Sequence, residues 1–107
     1  MSSRLERIEA MLADEPDDVF LRYSLAMELA KLGRHEESLQ KLSDLTLHTP
    51  PYVPAFFMAA QQLVDLEEVS QARAFLRDGI EQACEQGELH AAAEMREYLA
   101  MLGEYGE

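Results

Sequence analysis

Residues of matching size recur along this chain at a spacing of 34 positions. Pro16 lies 34 residues before Pro50, and many of the residues that follow the two prolines keep the same offset. Small residues tend to match small ones, and large aliphatic residues match large aliphatic ones. The pairs are Ala26 and Ala60, Leu29 and Leu63, Leu32 and Leu66, Ser38 and Ala72, and Leu42 and Leu76. The agreement predicts an internal repeat, which restricts the fold to units that pack on their neighbours.

Each repeat contains two blocks of apolar residues at helical spacing. In the first repeat, one block ends at Gly33 and the other runs up to Pro50. Glycine adopts positive φ easily at the end of a helix, and proline cannot continue one. Leu, Ala, Glu, Gln and Met, which favour helices, dominate the composition. The chain is therefore predicted to be all-α, with one helical hairpin in each repeat.

Both ends of the chain fit the same arrangement. The full repeats are predicted at 19–50 and 53–86, within a single domain of residues 1–107. Residues 3–13 are predicted to form the second helix of a truncated preceding repeat. Residues 88–102 are predicted to form a capping helix that covers the last apolar face. We expect about five helices in all.

The pattern resembles the tetratricopeptide repeat, a 34-residue helix–turn–helix unit of small bacterial proteins among others. The family's large aromatic residue, Leu-Gly pair and later Tyr appear in the second repeat as Phe56, Ala59-Ala60 and Leu63. The segment KLGRHEESLQKL is the best preserved. The departures are Arg22 for the aromatic residue, Glu67 for the turn glycine and Cys84 for the closing proline. The resemblance implies a right-handed α–α superhelix, that is, a stack of helical hairpins.

In this family the first helix of each hairpin lines a concave groove that receives a peptide or a partner helix. The matching positions here are Phe20, Tyr23, Ser24, Met27 and Lys31 in the first repeat, and Pro54, Phe57, Met58, Gln61 and Asp65 in the second. Aromatic residues and Met are enriched in protein interfaces, and Met adapts to varied partners. The resemblance thus implies a non-catalytic interaction or scaffold module with a protein or peptide partner.

Other interpretations of the same residues stay open. A short stack has a reason to self-associate, so the groove would be occupied by a second copy in a homodimer. A second alternative is that the chain is a small acidic chaperone or adaptor. Ordinary packing, or burial by the terminal helices, would also account for the apolar side chains without any ligand.

Charge and residue spacing exclude several classes of function. The chain carries 21 acidic and nine basic residues, a formal charge of −12. Such a charge repels nucleic acids and anionic membranes, so neither is an expected partner. His35, His48 and His90 lack metal-ligand spacing, and no glycine-rich phosphate loop is present. We therefore expect no enzymatic activity, no metal and no cofactor.

The single cysteine helps to predict the cellular compartment. Cys84 cannot form an internal disulfide, which suits a reducing environment. It lies between Glu81 and Glu85, with no cation close in sequence, and is expected to pack between helices. No apolar run reaches the roughly 18 residues of a membrane span. A cytoplasmic location is predicted.

Overall fold

A computed structural model describes residues 3–103, which are helical and contain no strand. The helices of this part are α1 (Arg4–Asp14), α2 (Val19–Lys31), α3 (His35–Thr46), α4 (Val53–Asp65), α5 (Val69–Glu85) and α6 (Leu89–Leu102). The all-α class is confirmed. The predicted count of about five is too low by one, because a leading helix, two hairpins and a cap together amount to six helices within the described residues.

Side-chain caps set where the first two helices begin. Ser3 Oγ accepts the Glu6 N–H at 3.1 Å while Glu6 Oε1 accepts the Ser3 N–H at 3.0 Å, a reciprocal capping box for α1. The bond that the carboxyl accepts from the Ser3 backbone N–H, and to a smaller extent a hydrogen bond with the Ser3 side chain, hold the pKa of the Glu6 carboxyl below its ordinary value. Asp18 Oδ1 accepts the Leu21 N–H at 3.0 Å and caps α2. The local sequence therefore specifies both starts.

The prediction that the second helix of repeat 1 runs up to Pro50 is wrong. Helix α3 ends at Thr46, and the Leu47 N–H bonds the Asp44 carbonyl in a tighter turn. A residue before a proline is disfavoured in helical conformation, so the chain leaves the helix early. The Tyr52 N–H then donates to the Leu45 carbonyl at 3.0 Å and folds the connection back onto α3.

Three tight turns of the same geometry join helices α2 to α3, α4 to α5, and α5 to α6. Their central residues have positive φ: 79° at Gly33, 63° at Glu67 and 76° at Gly87. One backbone hydrogen bond closes each turn. In chain order these are Arg34 N–H to Leu29 O, Glu68 N–H to Leu63 O and Glu88 N–H to Ala83 O. This is the Schellman arrangement, which satisfies the last carbonyls of a helix. Helix α5 therefore belongs to two hairpins, whereas the sequence predicted only the first.

The chain divides into two units between Tyr52 and Val53, at the junction of the two predicted repeats. In the first unit α2 packs against both α1 and α3. Ile8, Leu25 and Leu29 form the contact between α1 and α2. On the α3 side, the Ser38 hydroxyl donates to the Ala26 carbonyl at 2.6 Å, and both residues are fully buried. Small side chains at this crossing allow α2 and α3 to approach closely.

In the second unit α5 packs against both α4 and α6. These three helices meet at Gly79, where an added Cβ would lie 2.6 Å from Phe56 Cβ and 2.7 Å from Met95 Sδ. The side chain of Arg73 is also buried here, and its Nη2 donates to the Leu102 carbonyl at 2.7 Å. A cation at the C-terminal end of α6 complements the helix dipole.

Several core positions related by 34 residues are buried in both units. Leu29 and Leu63 are 2% and 4% exposed, and Leu42 and Leu76 are fully buried. The recurring sequence pattern therefore corresponds to a recurring core position in each hairpin. The handedness of the predicted superhelix stays a prediction.

Candidate functional site

The predicted groove residues of the first repeat share one side of α2. Phe20, Ser24, Met27 and Lys31 are spaced i, i+4, i+7 and i+11, and Tyr23 lies at the edge of this stripe. These five residues are called the α2 face. Phe20 is 63% exposed and Met27 38%, whereas Tyr23 and Ser24 are half-buried. An exposed aromatic ring two helical turns from an exposed Met side chain makes this an apolar surface.

The local sequence explains why Phe20 is exposed. The Asp18 cap starts α2 at Val19, which puts Phe20 in the first turn. From that start, the 100° step of an α-helix turns Leu25 and Leu29 towards the core and Phe20 away from it. The cap and the helical period together thus set the orientation of the α2 face.

An aromatic pair borders the α2 face. The Tyr23 and Tyr52 ring centroids are 5.4 Å apart with an interplanar angle of 61°, an edge-to-face contact. Burial raises the pKa of both phenols; Tyr52 adds to the shift of Tyr23, and Asp18 adds to that of Tyr52. Sequence analysis missed Tyr52 because it lies in the connection between the predicted repeats, where the 34-residue pattern assigns no role.

The predicted groove residues of the second repeat lie on α4 and are more covered. Phe57, Met58 and Gln61 are half-buried, and Pro54 and Asp65 are exposed. The Phe57 ring contacts Tyr98 of α6 edge to face, with centroids 5.4 Å apart. Burial by a terminal helix, one of the open interpretations, therefore describes Phe57. No sequence pattern indicated Tyr98 as a neighbour of Phe57, because α6 was predicted only as a capping helix.

The histidines and acidic residues of the described segment form no metal site. Within residues 3–103, no group of three or more His, Cys, Asp or Glu side chains could hold a metal ion. His48 Nδ1 lies 3.1 Å from the Pro50 carbonyl, and His90 Nε2 lies 3.5 Å from Glu94 Oε1 one turn away. No helix in this part of the chain is long and apolar enough to cross a membrane.

The expectation that Cys84 packs between helices is wrong, because its side chain is exposed. Its sulfur accepts a hydrogen bond from Arg96 Nη2 at 3.2 Å. Arg96 lies on α6, and the tight turn at Gly87 brings it back to the end of α5. The residues near Cys84 in sequence, Glu81 and Glu85, are acidic. Its cationic neighbour, Arg96, comes close only because α5 and α6 form a hairpin.

Fold and surface together define the chain as an all-α protein of short helical hairpins joined by positive-φ turns. Its structure is similar to the solution structure of a protein from Bordetella parapertussis, with a TM-score of 0.82 and 26% sequence identity. The alignment covers 98% of this chain and 91% of that one. No family model matches the sequence, and no curated protein matches it. The similarity supports the fold, and the resemblance to tetratricopeptide repeats stays a prediction.

Proposed function

We propose that this chain is a non-catalytic interaction module of the tetratricopeptide-repeat type that binds a segment of another protein on the α2 face. The observation that carries the proposal is the exposure of Phe20, together with Met27 on the next turns of the same stripe. An aromatic ring left 63% exposed keeps apolar area in water that a partner would remove. Aromatic anchors of this kind supply much of the energy of protein interfaces.

The charge of the chain selects the chemistry of the partner. A formal charge of −12 disfavours a second copy and any acidic partner, and it attracts a cationic one. The α2 face itself carries one charged residue, Lys31, so its centre is neutral. The proposed partner is a helix or extended segment with apolar anchors flanked by Lys or Arg. We propose a cytoplasmic location for the same chain, on account of its single free cysteine.

A binding experiment tests the α2 face directly. Peptides selected from a displayed library against the full chain are expected to be basic with apolar anchors. Phe20→Ser is expected to weaken their binding at least tenfold, because burying a Phe side chain contributes about 2 kcal/mol. Met101→Ser is the matched control, since Met101 is a 50% exposed apolar residue on α6. Equal binding by wild type and Phe20→Ser would refute the proposal.

The competing homodimer gives a different result in the same variants. Light scattering of the wild-type chain over a concentration series is expected to give the mass of a monomer. A dimer that Phe20→Glu converts into a folded monomer would show that a second copy occupies the α2 face. Phe20 suits this test better than Phe57, because Phe57 also packs against Tyr98.

A further inference from the structure

A small pocket opens in the first unit, on the side of α2 away from Phe20. Its volume is about 190 Å³. Its lining combines three apolar and three charged residues: Leu12, Pro16, Arg22, Leu25, Lys41 and Asp44. The residues come from α1, α2, α3 and the connection between α1 and α2. It is called the Arg22 pocket below.

The Arg22 pocket concentrates positive charge in a strongly acidic protein. Arg22 is half-buried, and its guanidinium has no hydrogen-bond or ion-pair partner among residues 3–103. Lys41 is also half-buried. The hydrogen bond and charge of Arg34, and to a smaller extent the charge of Lys41, hold the pKa of Glu37 below its ordinary value. The one carboxylate in the lining, Asp44, accepts a hydrogen bond from Gln40 Nε2 at 3.2 Å. The lining therefore contains two cations and one carboxylate, although acidic residues outnumber basic ones 21 to nine in the chain.

The pocket's size and lining define what fits it. Ligand sites for drug-sized molecules usually exceed about 300 Å³, so this pocket suits a single small group. Leu12, Leu25 and Pro16 offer apolar contacts to a short aliphatic segment. A partly desolvated guanidinium binds carboxylates through two parallel N–H donors, and an ammonium adds a second positive charge.

We propose that the Arg22 pocket binds a carboxylate carried on a short aliphatic stem, with Arg22 as the main ligand and Lys41 as the second. The carboxylate belongs either to a free short-chain acid or to a glutamate side chain of a polypeptide. The site is separate from the α2 face, because Arg22 lies two residues, or about 200° of helix rotation, from Phe20. The pocket thus adds a binding function to the proposed interaction surface.

Titration of the full chain with valerate, followed by amide chemical shifts in NMR, tests the pocket. We expect saturable shifts around Leu12, Arg22 and Lys41, and no such shifts with valeramide, which has the same stem without the charge. Acetate is expected to bind more weakly than valerate, because it leaves the apolar lining unfilled. Absence of saturation at millimolar valerate, equal shifts with valeramide, or equal shifts with chloride would each overturn the proposal.

Variants distinguish binding in the pocket from a general attraction of the valerate carboxylate to cationic side chains. Arg22→Met keeps the aliphatic part of the side chain and is expected to weaken valerate binding at least tenfold. Lys41→Met provides a second test if Arg22→Met fails to fold, with a smaller loss expected. Arg96→Met, which removes an exposed arginine outside the pocket, is the control and should leave binding unchanged. Unaltered binding in both pocket variants would refute the assignment.

A blocked peptide with one glutamate identifies the source of the carboxylate. Tighter binding of this peptide than of valerate, with the same dependence on Arg22, would indicate a polypeptide side chain. Equal or tighter binding of valerate would indicate a free acid. Either result supports the pocket, and neither depends on the α2 face, so Phe20→Ser should leave both titrations unchanged.

Discussion

Replacing Gly79 by alanine tests the packing of α5 between α4 and α6. The new Cβ would lie 2.6 Å from Phe56 Cβ, 2.7 Å from Met95 Sδ and 3.0 Å from Phe56 Cγ. Optimal separations between carbon atoms are about 3.5–4.0 Å, so the overlap is close to 1 Å. The Met95 thioether can rotate away, but Phe56 Cβ moves only if the α4 backbone moves. Helices α4 and α5 must therefore separate.

Two opposing contributions determine how much Gly79→Ala changes the free energy of unfolding. Overpacking a core costs about 1–3 kcal/mol, and the Phe56 contact indicates the upper part of that range. Alanine in place of glycine inside a helix returns about 1 kcal/mol through propensity. We expect a net loss of about 2 kcal/mol in the free energy of unfolding and a Tm lower by roughly 10 °C.

Urea denaturation followed by circular dichroism measures this loss, with an unchanged slope indicating a change in stability alone. The pair Asp78→Ala and Asp78→Gly, at an exposed neighbouring position of α5, measures the propensity contribution separately. Gly87→Ala is the second control, because no atom lies within 4 Å of its added Cβ and only the positive φ is penalised. A Gly79→Ala protein as stable as the wild type would refute the close approach of α4 to α5.

Two further predictions concern the turn at Glu67 and the ring of Tyr23. Glu67→Gly is expected to stabilise the chain by up to about 1 kcal/mol in urea denaturation, since Glu67 has φ of 63° and glycine adopts that conformation without strain. Glu68→Gln controls for the lost charge. A Glu67→Gly protein less stable than the wild type would contradict the turn geometry. Folding raises the pKa of Tyr23 through burial and the nearby Tyr52, so the associated stability is complete below the ordinary value of about 10 and is lost as pH rises through the folded-state pKa. Alkaline denaturation of Tyr23→Phe should show a smaller loss than wild type, and identical pH dependence would show that this ring is not buried.

The repeat pattern predicted most of the helices, because helix starts and stops depend on local chemistry. Asp18 caps α2, Pro54 lies in the first turn of α4, and Gly87 ends α5, all as their residue types indicate. Glu67 shows that hairpin geometry can override residue preference, because a glutamate adopts the conformation that glycine has at Gly33. The early end of α3 was the main error in the helix boundaries, since a proline indicates that a helix must stop but not how far before it.

Only one part of the candidate site was predictable from the sequence, namely the α2 residues that the helical period turns away from the core. The positions of Phe20 and Met27 follow from the cap and the 3.6-residue period. Their neighbours do not, because Tyr52 reaches Tyr23 through a folded-back connection. Tyr98 likewise reaches Phe57 only because α6 returns along α5.

The sequence by itself determined the all-α class, the repeat length, the helix caps and the apolar stripe of α2, since each depends on residues within a turn or two of one another. Tertiary structure alone decided which side chains from different helices meet. It placed Arg96 beside Cys84, buried Arg73 at the end of α6, and put Arg22 in the lining of a pocket with Lys41. Such contacts join residues far apart in the chain, and their partners are set by how helices pack rather than by any local preference.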